Sequence, residues 1–130
     1  MRVLFLDDNE RRCESFLATC RPATACTVVT TAQAAIEALG NTVYDVVFLD
    51  HDLGGAAMAA SGPGTGYEVA QFIAEMDNRP RTVIIHSWNP AGAQAMRRCL
   101  REKCDVIVFP FATAGWGNFV DAMTGGSANE

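Results

Sequence analysis

Lysine is all but missing from this sequence: nine of its ten basic residues are arginine, and Lys103 is the single lysine. Positive charge as a whole is in deficit, with fifteen acids and a formal net charge of −5. Nonspecific nucleic-acid binding depends on clustered positive charge, so the balance argues against it as a main role. No run approaches the ~18 apolar residues a membrane span needs. The opening MRVLFLDDNE meets two acids by position 7, which does not read as a secretory signal. The cysteines (Cys13, Cys20, Cys26, Cys99 and Cys104) are odd in number and form no C-x-x-C pair. We therefore expect reduced thiols, mostly buried as small hydrophobes in a cytoplasmic protein, and no zinc site built from them.

What is present suits one soluble globular domain. The 130 residues are 49% apolar, enough for a single core and too apolar for a disordered chain. Five short apolar runs stand out: Val3–Leu6, Thr24–Thr30, Val46–Leu49, Thr82–Ile85 and Val106–Phe109. Consecutive apolar positions suit strands buried on both faces, as in a parallel sheet, and the more polar second run suits an edge. Helical spacing fills the gaps over Glu10–Cys20, Thr31–Leu39, Tyr67–Met76, Ala91–Lys103 and Trp116–Met123. Thr65-Gly66-Tyr67-Glu68 reads as a capping box, and Asn89-Pro90 as a cap with proline in the first turn. Strands alternating with helices five times predict a doubly wound α/β sheet. The expected layout is one domain over 1–124 and a flexible tail over 125–130.

Ligands of such folds bind beyond the carboxyl ends of the strands. There the sequence places Asp7-Asp8, Asp50-His51-Asp52, His86-Ser87 and Phe109-Pro110. An acid after a strand can simply cap the next helix, and Asp8 could do so. Four converging carboxylates need more, because they repel unless they share a proton or bind a cation. Mg²⁺ or Mn²⁺ suits the carboxylate majority, with zinc a further option through His51. Two histidines beside the acids add groups that exchange protons near neutrality.

Ser87 suits either donation to a phosphate oxygen or a satisfied turn. The segment Gly54–Gly66 is longer than most such connections, so it reads as a tolerated insertion or a lid, with Gly64-Thr65-Gly66 best placed to touch a ligand. Arg11 and Arg12 follow the acidic pair closely enough to reach a phosphate, although solvent exposure is the simpler expectation. Arg97, Arg98, Arg101 and Lys103 complement the fourth helix's dipole.

Leu6-Asp7-Asp8, Asp50, Ser87 and the five-fold β/α order resemble a response-regulator receiver domain over roughly residues 2–123. That resemblance implies a flavodoxin-like five-stranded sheet of order 2-1-3-4-5. It also implies Asp7, Asp8 and Asp50 holding Mg²⁺, Asp50 as phosphoryl acceptor, and Ser87 as the reporting hydroxyl. One part is missing: receivers carry a lysine before the proline after strand five, where this chain has Phe109. LDHDLGG at 49–55, TGYEV at 65–69 and HSWNPAG at 86–92 resemble more closely the variants called cyclic-phosphate processing receiver domains.

The closer resemblance implies a metal-dependent phosphoesterase opening or hydrolysing a cyclic phosphate, either a cyclic nucleotide or an RNA end. Asp7, Asp8, Asp50 and Asp52 would hold the metal. His51, His86 and Asp50 would be catalytic, and Ser87, Asn89, Gly64, Thr65 and Gly66 would contact substrate. The other reading is a non-catalytic or phospho-accepting module in signalling or nucleotide sensing. Receivers often pair through the fourth and fifth helices, so a homodimer there, using Trp116, Phe119 and Val120, is a third, compatible expectation.

Overall fold

The computed structural model describes residues 1–20, 24–54 and 58–124; the tail expected over 125–130 lies outside them. Its strands are β1 (Arg2–Leu6), β2 (Ala25–Val29), β3 (Val46–Leu49), β4 (Thr82–Ile85) and β5 (Asp105–Val108). Its helices are α1 (Glu10–Thr19), α2 (Ala32–Asn41), α3 (Gly66–Glu75), α4 (Pro90–Leu100) and α5 (Trp116–Met123). All strand pairs are parallel, in the order β2-β1-β3-β4-β5. The expected doubly wound architecture and strand order both hold.

Val3, Leu4, Phe5 and Leu6 are all fully buried, as is required of a central strand covered on both faces. Alternation sends Leu4, Leu6, Val47, Leu49, Val83 and Ile85 into one core with α2, α3 and α4. Val3, Phe5, Phe48 and Ile84 enter the other, against Cys13 and Phe16 of α1 and Trp116 and Val120 of α5. Phe16 stacks on Phe5 with ring centroids 4.1 Å apart. Burying such a ring contributes roughly 1.5–3 kcal/mol. Both edge strands, β2 and β5, are only partly covered.

Local differences from the sequence reading have simple causes. Asn9, not Asp8, caps α1, its side chain accepting from the Arg12 N–H. α2 runs through Gly40 to Asn41, because the Thr42 N–H still finds the Ala38 carbonyl. α4 stops at Leu100, whose carbonyl accepts from both Lys103 and Cys104 as the chain turns. Of the five free cysteines only Cys13 is buried; the others are half-exposed, with Cys20 Sγ 3.1 Å from Cys26 Sγ.

Candidate functional site

Parallel register builds the site. Leu6 of β1 pairs with Leu49 of β3, and Leu49 with Ile85 of β4. The residues that follow are Asp7, Asp50 and His86, which therefore stand side by side just beyond three adjacent strands. The ladder continues into them: the Asp50 N–H donates to the Leu6 carbonyl (3.1 Å) and the His86 N–H to that of Leu49 (3.0 Å). Because Leu6, Leu49 and Ile85 face α2–α4, the next residue on each strand turns toward α1 and α5. There the His86 ring stacks on Phe5 at 4.7 Å, nearly parallel. All three side chains are buried, and their ligating atoms lie within 4.8 Å of one another.

Two carboxylates at this spacing need a positive partner, and Arg12 supplies it. Its Nε donates to Asp7 Oδ2 (2.7 Å) and its Nη2 to Asp7 Oδ1 (2.9 Å). The same guanidinium stands 3.6 Å from Asp50 Oδ2 and 4.0 Å from Asp8 Oδ1. Arg12 is the third residue of α1, and helix side chains lean toward the N-terminus, which aims it back at the strand ends. Asp7 also meets His86 Nε2 at 3.1 Å and accepts from the Asn9 N–H.

These surroundings split the two acids. Burial alone would raise Asp7, but hydrogen bonds from His86 and Arg12 outweigh it and hold its pKa at about 2. Asp50 goes the other way, pushed up to about 6 by burial, with His86 and Arg12 only partly offsetting it and the Asp7 charge adding to it. A carboxylate so under-compensated fits a further cation. The carboxylates of Asp7 and Asp50, with Asp8 at the rim, suit a hard divalent ion such as Mg²⁺ or Mn²⁺, and the His86 imidazole stands beside them.

His51 occupies a different place. One residue beyond Asp50 it has the opposite parity, so its ring is buried toward α4 and not beside His86. Its Nδ1 meets Asp52 Oδ1 (2.7 Å) and its Nε2 meets Ser61 Oγ (2.9 Å). Asn89, the N-cap of α4, donates through Nδ2 to Asp52 Oδ1 and to the Ala59 carbonyl, both at 2.9 Å. Asp52 accepts further bonds from the Met58 and Ala59 N–H groups. Together these residues tie the end of β3, the connection before α3 and the start of α4. Glycine at 92 leaves room for the His51 ring, since a Cβ would press on its Cγ and force the ring to shift.

A cleft of about 450 Å³ opens above the row, lined by Asp8, Asn9, Arg12, Asp50, Asp52, Met58, His86, Ser87, Trp88 and Phe111. It gathers Asp8, Asp50, Asp52, His86 and Ser87 from the residues named by sequence. Ser87 is buried, its Oγ accepting from the Asn89 N–H. Asp7 lies beneath the floor, and His51 and Asn89 lie behind Asp52. The Gly64–Gly66 amides are already engaged: Gly64 N–H donates to Glu68 Oε1 (2.8 Å) and Gly66 N–H to the His51 carbonyl (2.9 Å). Gly64 lines a neighbouring cleft with Thr30, Leu53 and Glu68, and Asp8 borders both. Gly66 permits the close approach of α3 to β3, because a Cβ there would collide with the Asp50 carbonyl.

Sequence reasoning undervalued Arg12 and passed over Trp88. The available signals were Arg12's position three residues after a helix cap that follows the acidic pair, and an indole between Ser87 and the α4 cap. Trp88 is 60% exposed, while Trp116 is 7% exposed.

Comparison with known proteins places this geometry. The family model described as "Cyclic-phosphate processing Receiver domain" matches residues 2–102, from β1 through α4. Among curated proteins none matches. The receiver domain of the sensor histidine kinase PA1611 from Pseudomonas aeruginosa PAO1, solved with magnesium in its active-site cleft, is 22% identical. The match covers 95% of this chain and 97% of that one, with a TM-score of 0.65. A signal receiver domain of a LuxO-type repressor protein from Vibrio parahaemolyticus is 17% identical over 95% and 88% of the chains, TM-score 0.69. The Mn²⁺-bound response regulator Rcp1 is 15% identical over 94% and 90%, TM-score 0.60. At these identities the likenesses establish the receiver fold.

Proposed function

The chain belongs to the cyclic-phosphate processing receiver domain family, and from that premise we propose that it is a phosphate-recognising receiver module in signalling. Its cleft takes a phosphoryl group beside a divalent cation, and Asp50 is the acceptor if the group is transferred. The observation that carries this reading is the juxtaposition of Asp50 with Arg12 at the cleft floor, an acceptor oxygen and a fixed cation 3.6 Å apart. Receivers use a lysine beyond strand five for that positive charge; here the charge comes from α1.

The chain's own residues divide the work. Asp8 and Asp50, with Asp7 behind them, would hold Mg²⁺ or Mn²⁺, which when bound neutralises phosphate charge. Arg12, its Nε and Nη2 held on Asp7, offers its charge to a phosphate oxygen that enters beside Asp50. Ser87 stands at the wall within the same cleft, and its hydroxyl hydrogen is available to a phosphoryl oxygen while its lone pair serves Asn89. Asp50 keeps its Oδ1 on the His51 N–H at 2.9 Å, which leaves Oδ2 toward Arg12 and the cleft. Incubation with acetyl phosphate and magnesium, followed by intact mass measurement, tests the acceptor role. We expect one phosphoryl adduct, lost in Asp50→Asn. Calorimetry with inorganic phosphate and magnesium tests recognition itself. Absence of both the adduct and phosphate binding would overturn the proposal.

A second reading, hydrolysis or opening of a cyclic phosphate, draws on the family description and on His86. That imidazole lies in the cleft wall with Nδ1 buried and without a hydrogen-bond partner among the described residues. A division of general acid and base between His86 and His51 would first require His51 to leave Asp52 and Ser61. Turnover of a 2′,3′-cyclic nucleotide with magnesium or manganese, followed by phosphorus NMR and abolished in His86→Gln, would put this reading ahead of the first.

A further inference from the structure

The polar floor of the cleft has an apolar rim, and the rim is held in shape. Trp88 is 60% exposed and Met58 63% exposed, and both line the cleft together with Phe111. Its Nε1–H donates to the Phe111 carbonyl at 2.9 Å, which fixes the indole across the gap between α4 and the segment after β5. Met58 is held by its own N–H on Asp52 and by a backbone φ of 56°, a conformation that non-glycine residues adopt only where surroundings impose it. An exposed indole that keeps its plane loses little further freedom when a flat ligand lies on it.

We propose that Trp88, with Met58 and Phe111, is a stacking platform for a nucleobase, so that the phosphoryl group recognised at Asp50 and Arg12 is carried by a nucleotide. This rests on the phosphate-recognition reading above and extends it to the ligand's other end. A volume of about 450 Å³ suits a ligand of this size, and indole faces suit every base because each base has a π-face. The acids Asp8 and Asp52 in the lining, together with a net charge of −5, oppose a long polyanion laid across the surface. The fitting ligand is one nucleotide, free or at the end of a strand.

Calorimetry with magnesium present, comparing AMP with ribose 5-phosphate, tests the proposal, and quenching of tryptophan fluorescence provides a second readout on the wild type. The wild type is expected to bind AMP about ten- to one-hundredfold more tightly than ribose 5-phosphate. Trp88→Ala should bring AMP down to the ribose 5-phosphate level without changing ribose 5-phosphate itself, and Trp88→Phe should restore part of the difference. Equal affinities in the wild type, or equal loss of both ligands in Trp88→Ala, would overturn stacking while leaving phosphate recognition standing. Failure of both ligands to bind would remove the phosphate reading and the platform with it. A short oligoribonucleotide ending in a 3′-phosphate separates the sources: tighter binding than AMP supports the platform with a strand end, and weaker binding supports it with a free nucleotide.

Discussion

Replacing Asp50 by asparagine should make this protein more stable, and only above the acid range. In the folded chain the Asp50 carboxyl is raised from its ordinary 3.8 to about 6, mainly by burial, so folding favours its protonated form. A carboxyl raised on folding binds more protons in the native state, so its contribution to stability falls as pH climbs between those two values and stays lost above them. At ~1.4 kcal/mol for each tenfold change, ionised Asp50 costs about 3 kcal/mol at neutral pH. Asparagine resembles the protonated acid, keeps an oxygen for the His51 N–H and carries no charge to desolvate. Urea unfolding with a chelator present should therefore show a gain of about 3 kcal/mol near pH ~7.5, or roughly 10 °C in Tm. Near pH ~4 most of the gain should be gone, because Asp50 is then protonated in the folded chain. Magnesium should stabilise the wild type and help Asp50→Asn much less, since a cation relieves the same charge. Equal stability near pH ~7.5, or the same gain at both pH values, would refute the argument.

Further outcomes follow from the contacts at and around the site. Arg12→Gln leaves Asp7 buried with His86 and the Asn9 N–H alone, so it should destabilise by about 2–3 kcal/mol, the lower end for a broken buried pair because Arg12 is one-third exposed. The same variant should bind magnesium more tightly in calorimetry, since a competing cation is gone; weaker binding would count against Arg12 as the resident counter-charge. Gly66→Ala should destabilise by ~3 kcal/mol or more in urea unfolding, because its Cβ meets backbone that cannot step aside. Gly92→Ala should cost about 1–3 kcal/mol despite a helix-propensity gain of ~1 kcal/mol, and should loosen protease protection around Ser61 as His51 is displaced.

Much of the molecule was legible in one dimension. Runs such as Val3–Leu6 and Val46–Leu49 are apolar on consecutive positions because both sheet faces are covered, and this pattern alone announced parallel strands. The caps Thr65 and Asn89 were equally plain, since a side-chain oxygen before a helix has few other uses. Asp7, Asp50 and His86 could be located at strand ends for the same reason. Arg12 could not be told from Arg11, because only the direction of α1 over the strand ends separates a cation bound to Asp7 from one in solvent.

The sequence by itself determined the layers, the strand ends and the acids that stand on them, because burial periodicity and capping are local. The tertiary structure alone decided which residues meet. Register across β1, β3 and β4 put Asp7, Asp50 and His86 in one row, while a single step of strand parity turned His51 to the opposite side, into the network with Asp52, Ser61 and Asn89. Helix direction gave the acids their arginine, and the bond from Trp88 to the Phe111 carbonyl set an aromatic wall beside them. Such meetings depend on pairing between segments far apart in the chain, and no local pattern encodes them.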